Sequence, residues 1–222
     1  MKKLAYLLIS ILLYLYICRT PTLEVIAWPI SMLCTFLHEF GHAFFSIISG
    51  GTVHSLAVNT DGSGVTTTSG GSQGLCTIGG YVGSALFGNL MLWLSGSRWS
   101  SITLKIISVA MFIASILWFD NIVTTAILFF FSVGLFFISM IPFNSFMLSF
   151  LGVACIIYII QDFDVGPTSD LQAYEQEVGI FPASVWMYIW LGIVLTSTAF
   201  TLWKILTHQN NTSDHHQEAS KS

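Results

Sequence analysis

The sequence predicts an all-α polytopic membrane protein with six or seven transmembrane helices and one small β-hairpin in a loop. Of its 222 residues, 54% are hydrophobic and only 8% are charged, whereas soluble domains carry about 25% charged residues. The mean hydropathy is +0.77. From this apolar composition we expect the lipid bilayer to surround the protein. Because the sequence has no basic patch, we expect no nucleic-acid partner.

Seven apolar segments are candidates for membrane spans. They are residues 4–18, 24–48, 76–95, 102–118, 121–141, 143–160 and 183–206. The first is short for a span and follows Lys2 and Lys3, which predict a cytoplasmic N-terminus. Because no small-residue cleavage site is clear near Arg19-Thr20-Pro21, we expect it to be an uncleaved signal anchor. With seven alternating spans, residues 49–75 and 161–182 would both be cytoplasmic. Whether the chain has six or seven spans, these two loops lie on the same side of the membrane.

A polar, glycine-rich segment, residues 50–75, follows the second candidate span. Its valine and threonine residues predict two short strands, and Asp61-Gly62 is typical of a hairpin turn. A plain solvated linker is the alternative. We predict a single transmembrane domain over residues 1–207, which includes this loop, and a polar, disordered tail over residues 208–222.

The second candidate span contains the motif His38-Glu39-Phe40-Gly41-His42. On a helix, HExxH places two imidazoles one turn apart on the same face, which is the spacing that binds one zinc ion. Glu39 lies beside the first histidine, where it can take a proton from a zinc-activated water. Ionisable side chains within a span are costly and mark functional sites. A pair of packed core histidines with a buried glutamate is the alternative.

A catalytic zinc ion needs a third protein ligand and one open position for water. The candidates are Asp162, Asp164 and Asp170, which all follow the span 143–160. Asp162 and Asp164 could instead be solvated loop charges, and Asp170 could cap a new helix. The residues alone do not choose among the three.

Further motifs in chain order make the HExxH signal more specific. They are His38 to Ala43, Gly50-Gly51-Thr52-Val53, Asp61-Gly62-Ser63-Gly64, Gly80-Tyr81-Val82-Gly83, Ser169-Asp170, Pro182, Trp186 and Trp190. With these motifs, the sequence from about residue 30 to about residue 195 resembles the site-2 protease family of intramembrane zinc metalloproteases, and within it a compact branch.

The resemblance implies that His38 and His42 are zinc ligands and that Glu39 is the general base. It also implies an aspartate from a later segment as the third ligand. In the better-known members this aspartate belongs to an Asp-Gly motif, which this sequence lacks at that place. The position that matches the branch's Ser-Asp pair is Asp170, so Asp170 is the implied third ligand and Asp162 the next candidate.

The sequence therefore predicts a multi-pass membrane protein that is a zinc metalloendopeptidase. With Zn2+ as its cofactor, it would hydrolyse a peptide bond in or near a transmembrane segment of a membrane-protein substrate. The alternative is a non-proteolytic membrane scaffold that binds partner helices, with or without structural zinc. A metal transporter would need further ionisable groups along a path through the membrane, and the other spans contain almost none.

Overall fold

The computed structural model of this chain describes residues 2–163, 166 and 168–219, and the side chains of residues 3–163, 166 and 168–207. Its elements, in chain order, are α1 (Lys2–Arg19), a 3-10 turn (Pro21–Leu23), α2 (Glu24–Ile48), β1 (Gly51–Val58), β2 (Gly64–Gly70), α3 (Gln73–Ile78), a π-helical turn (Gly79–Gly83), α4 (Ser84–Leu94), α5 (Ser100–Leu117), α6 (Ile122–Met140), α7 (Asn144–Asp162), α8 (Ser169–Val178) and α9 (Ala183–Ala219). The predicted all-α membrane architecture with one small hairpin is confirmed.

Six helical stretches in the described part of the chain are long and apolar enough to cross a membrane. They are Pro21–Ile48, Gln73–Leu94, Ser100–Leu117, Ile122–Met140, Asn144–Asp162 and Ala183–Thr207. The first predicted span, residues 4–18, is helical as α1 but is not one of the six. The side chains beyond Thr207 lie outside the described residues, so the domain limit at 207 and the disordered tail remain predictions.

The predicted hairpin packs against the helices. Its two strands are antiparallel, in a register that pairs Gly51 with Gly70 and Val58 with Gly64. Hydrogen bonds hold the outer edge of β1. The Leu56 amide donates to the Trp118 carbonyl at 3.0 Å, the Val58 amide donates to the Thr124 hydroxyl at 3.2 Å, and that hydroxyl lies 3.2 Å from the Val58 carbonyl oxygen. The β1 edge is therefore fixed to the α5–α6 junction, and the alternative of a plain solvated linker is wrong.

The α2 helix and the π-helical turn approach each other so closely that their backbones touch. A Cβ atom built on Gly41 would lie 2.2 Å from the Gly79 carbonyl oxygen, and one built on Gly79 would lie 2.7 Å from the Gly41 carbonyl oxygen. Small residues at such a crossing allow membrane helices to pack without a gap. Gly41 is one of the two middle residues of HExxH, and a side chain at this position would collide with the backbone of the π-helical turn.

We expect Gly41→Ala to destabilise the protein by about 1–3 kcal/mol, because the added methyl group overpacks this crossing. Alanine in place of a helical glycine ordinarily stabilises by about 0.5–1 kcal/mol, which makes a loss informative. Thermal unfolding in detergent measures the change. Gly134→Ala on α6 is the matched control, since a Cβ atom there meets nothing within 4 Å. Equal unfolding temperatures for the two variants would contradict the close crossing.

Candidate metal centre

Three side chains from two helices meet at one point within the bundle. His38 and His42 lie one turn apart on the same face of α2, and Asp170 lies in the first turn of α8. The Asp170 Oδ2 atom is 3.1 Å from His38 Nε2 and 3.2 Å from His42 Nε2, and the two Nε2 atoms are 3.1 Å apart. These atoms form a nearly equilateral triangle of two nitrogens and one oxygen.

The triangle has the size and the chemistry of a zinc site. Ligands at about 2.0–2.1 Å in a tetrahedron around zinc are separated by about 3.3 Å. His42 Nδ1 lies 2.8 Å from the Cys76 carbonyl oxygen, which fixes a proton on Nδ1 and leaves the Nε2 lone pair facing Asp170. A lone pair and a carboxylate oxygen repel at this distance unless a cation or an added proton lies between them. The residues therefore fit zinc.

Asp170 is held in the charged form that a metal ligand requires. Burial by itself would raise its pKa, but the facing imidazoles of His38 and His42, when they carry an added proton, hold the pKa of Asp170 well below its usual range. The side chain is 24% exposed, and it lies on the loop side of α7 rather than within a span. The carboxylate is therefore ionised at neutral pH.

Glu39 is buried beside the same cluster and is held by the hairpin. The residue is 5% exposed, and the Thr66 hydroxyl donates to Glu39 Oε2 at 2.7 Å. A Cβ atom built on Gly64 would lie 2.6 Å from Glu39 Oε1, so β2 lies directly over the carboxylate. The hairpin thus fixes the position of the glutamate relative to the two histidines.

Two polar cavities flank the cluster of His38, His42 and Asp170 and together form a groove. One cavity of about 190 Å³ is lined by residues that include His38, Tyr158 and Asp162, and a second of about 180 Å³ by residues that include His42, Thr68 and Cys76. Both are also lined by Glu39, Gly64, Ser169 and Asp170. The groove therefore runs along β2 and passes the carboxylates of both helices.

The other two aspartates considered as third ligand do not join the triangle in the described structure. Asp162 accepts a hydrogen bond from the Tyr81 hydroxyl, whose ring packs edge-on against the His38 ring with centroids 4.7 Å apart. Asp164 lies outside the described residues. Thr168, rather than Asp170, is the N-cap residue of α8. Asp162 supports the centre indirectly, through Tyr81.

Thr66, whose hydroxyl bonds Glu39, and Gly80 were not identified from the sequence as site residues. A Cβ atom built on Gly80 would lie 2.4 Å from His42 Nε2 and 2.6 Å from His38 Nε2, so the π-helical turn brings bare backbone against both imidazoles. Single π-helical turns are common at functional sites. The Gly80-Tyr81-Val82-Gly83 motif was the available signal, but it does not reveal that the glycine faces the histidines.

A family model described as Peptidase M50B-like matches residues 5–201. The match covers 197 of the 222 residues and includes every member of the triangle. No curated protein and no solved structure matches the chain.

Proposed function

Because the chain belongs to the Peptidase M50B-like family, a site-2 protease family, we propose that it is an intramembrane zinc metalloprotease. It hydrolyses a peptide bond in or near a transmembrane segment of a membrane-protein substrate. The observation that carries the proposal is the triangle of His38, His42 and Asp170, with Glu39 beside it in a polar groove. Ionisable groups gathered in this way within apolar helices mark a functional site.

His38, His42 and Asp170 would hold the zinc ion. When bound, zinc supplies Lewis acidity, which polarises a substrate carbonyl and lowers the pKa of a coordinated water towards about 7. Glu39 accepts the proton of the attacking water and passes it to the leaving nitrogen. The Thr66 hydroxyl orients the carboxylate by donating to Oε2.

The hairpin offers a binding mode for the substrate backbone. The outer edge of β1 is bonded to the α5–α6 junction, whereas the backbone of β2, within the described residues, bonds only to β1. The free edge of β2 lines the groove. A substrate helix must unwind before it can be cut, because its amide groups are bonded internally. An unwound segment regains hydrogen bonds by adding to β2 as a third strand.

Cleavage of defined substrates tests the proposed activity. The purified protein is reconstituted in liposomes with single-span reporters that differ only by Gly or Pro residues placed within the span, and products are mapped by mass spectrometry. We expect cleavage within the span, faster in reporters with helix-breaking residues, and loss of cleavage when a chelator removes zinc. Zinc-loaded protein that cuts none of the reporters would favour the non-proteolytic scaffold.

Removing the hydroxyl that orients Glu39 should slow cleavage without loss of zinc. We expect Thr66→Val to lower the cleavage rate by about 10- to 100-fold, because a hydrogen bond to a charged group contributes about 1.5–3 kcal/mol. Thr67→Val is the matched control, since Thr67 is the neighbouring, exposed residue of β2. Equal rates for the two variants, measured on the same reporter, would show that Thr66 does not position the base.

A further inference from the structure

The α4 and α9 helices run side by side in the same direction. The Tyr81 ring, just before α4, packs on the Trp190 ring of α9 with centroids 5.9 Å apart. Further along both helices, Asn89 Nδ2 lies 3.3 Å from Ser197 Oγ. Between these two contacts each chain advances by seven or eight residues, so the spans that contain them end on the same side of the bilayer.

A cavity of about 490 Å³, the α4–α9 groove, lies between the ends of these two helices. Its lining residues, three from each helix, are Asn89, Leu90, Trp93, Phe200, Thr201 and Lys204. Leu90, Trp93 and Phe200 are exposed, so the groove opens towards the lipid. Of the six spans in the described part of the chain, α9 is the least covered: 11% of its most apolar stretch is buried, against 33–72% in the others. Filling this space is therefore left to the surrounding bilayer.

Two lysines place their ammonium groups beside the α4–α9 groove. Lys204 lines it, with Nζ 4.9 Å from the centre of the Trp203 ring and 5.5 Å from the centre of the Phe200 ring. Lys3, on α1, donates from Nζ at 3.1 Å to the carbonyl oxygen of Trp93, which lines the same groove. Neither lysine forms an ion pair with a carboxylate in the part of the chain that the structure describes. Both charges therefore require an anion from the surroundings.

The depth of these lysines in the bilayer selects the anion. Trp93 and Lys204 lie within one turn of the ends of their spans, the level at which tryptophan rings and long cationic side chains meet lipid headgroups. The anion that a bilayer supplies at this level is a lipid phosphate. A zwitterionic headgroup would also bring an ammonium group beside Lys3 and Lys204, where the groove offers no carboxylate to pair with it. A headgroup of net negative charge avoids that repulsion.

The inner end of the α4–α9 groove carries an unpaired hydrogen-bond acceptor. Asn89 is 5% exposed and donates from Nδ2 to the Ala85 carbonyl, while its Oδ1 atom has no hydrogen-bond partner among the described residues. A buried acceptor without a donor is costly. Asn89 precedes Trp93 by four residues, about 6 Å of helix, and so lies deeper than the ammonium groups. The glycerol region of a lipid, with the water bound to it, lies below the phosphate and supplies a donor, whereas hydrocarbon has none.

We propose that the α4–α9 groove binds one anionic phospholipid. The two lysines bind its phosphate, and Leu90, Trp93 and Phe200 pack against the start of an acyl chain. Water at the glycerol level donates to Asn89 Oδ1. The residues of this site do not line the cavities around the metal centre. The proposal therefore goes beyond the proposed protease function, and neither depends on the other.

Native mass spectrometry tests the lipid site directly. The full chain is purified and delipidated in a neutral detergent, and phosphatidylglycerol or phosphatidylcholine with the same acyl chains is added. We expect one phosphatidylglycerol per chain to bind at least about tenfold more tightly than phosphatidylcholine, because each lysine contributes about fivefold. Equal affinities for the two lipids, or a graded series of adducts with no preferred first one, would overturn the proposal.

Charge variants locate the site within the protein. Lys3→Gln and Lys204→Gln should each weaken phosphatidylglycerol binding by about fivefold and leave phosphatidylcholine binding unchanged. Arg19→Gln is the matched control, because Arg19 is exposed and ends α1, 16 residues or about 24 Å of helix from Lys3. An equal loss in all three variants, or no loss in the two lysine variants, would show that this groove does not select the lipid.

A steric variant tests the groove without removing a charge. Thr201→Trp fills part of the cavity with an indole ring. It should weaken phosphatidylglycerol binding by about tenfold, the loss expected when about two methylene groups no longer find a place there. Unchanged affinity in Thr201→Trp protein that unfolds at the wild-type temperature would overturn the groove as the site.

A soluble anion separates a lipid site from a phosphate site. Inorganic phosphate in large excess should not displace phosphatidylglycerol, because it cannot occupy the apolar wall of Leu90, Trp93 and Phe200. Displacement of the lipid by inorganic phosphate would show that the two lysines bind a free anion, and it would overturn the assignment to a phospholipid.

Discussion

We expect the Glu39→Gln variant to retain about one zinc per chain and to lose cleavage by at least about 10²–10⁴-fold, the usual contribution of a general base. Gln has nearly the same shape as Glu, and its amide oxygen can still accept the hydrogen bond from Thr66 that positions the side chain. The only function removed is proton acceptance from the attacking water. Zinc content and reporter cleavage are measured on the same preparation.

Glu24→Gln is the matched control for that experiment. Glu24 begins the same helix, α2, and lies outside the three-ligand cluster and the groove, so this change should leave both zinc content and cleavage unaltered. Cleavage by Glu39→Gln at the wild-type rate would remove Glu39 from the mechanism. Loss of zinc from Glu39→Gln would show instead that the glutamate supports the metal.

We expect Gly80→Ala to reduce zinc affinity by more than the roughly 10–100-fold typical of a lost outer-shell partner. The added methyl group would occupy space within 2.6 Å of both Nε2 atoms, on His38 and His42. Either the imidazoles or the π-helical turn must shift, and each change breaks the triangle with Asp170. Competition with a chromophoric zinc chelator measures the affinity.

Gly192→Ala on α9 makes the same chemical change where a Cβ atom meets nothing within 4 Å. It should leave zinc affinity unchanged. The thermal unfolding of each variant is first compared with that of the wild type in the absence of zinc. This comparison separates a local effect on the zinc ligands from a folding defect. Folded Gly80→Ala protein with the affinity of the wild type would show that the turn does not lie against the ligands.

The sequence predicted those features of the fold that depend on local composition. Apolar segments of about 20 residues indicated the six spans, and Asp61-Gly62 between β-forming residues indicated the hairpin. The packing of α1 on α7, with Tyr6 on Phe146 and Tyr14 on Phe150, was not predictable in this way, because hydropathy measures how apolar a segment is and not how it packs. By hydropathy, residues 4–18 were therefore a candidate for a seventh span.

The site was predictable in part, for a similar reason. His38 and His42 are one helical turn apart, so local geometry is enough to bring them together. Asp170 comes from α8, 128 residues after His42, and only the packing of α8 against α3 brings it within 3.2 Å of His42 Nε2. From the residues alone Asp162 was an equal candidate, and its bond to the Tyr81 hydroxyl depends on tertiary structure in the same way.

The contribution of Gly80 and Thr66 could not be inferred at all from spacing. A glycine in a membrane helix is ordinarily a packing residue, and a threonine in a strand is ordinarily a β-former. Their roles here come from which side of the π-helical turn and of β2 faces the histidines and Glu39. The five-residue π-helical turn determines that Gly80 faces the histidines, and the register of the hairpin determines that Thr66 faces Glu39.

The most direct test of this account is the zinc content of the detergent-purified protein. Wild type is compared with His38→Ala, His42→Ala, Asp170→Ala and Asp162→Ala, each first shown to be folded. We predict about one zinc per chain in the wild type and in Asp162→Ala, and its loss from the other three. Folded wild type that takes up no zinc, or loss of zinc from Asp162→Ala but not from Asp170→Ala, would contradict the assigned centre.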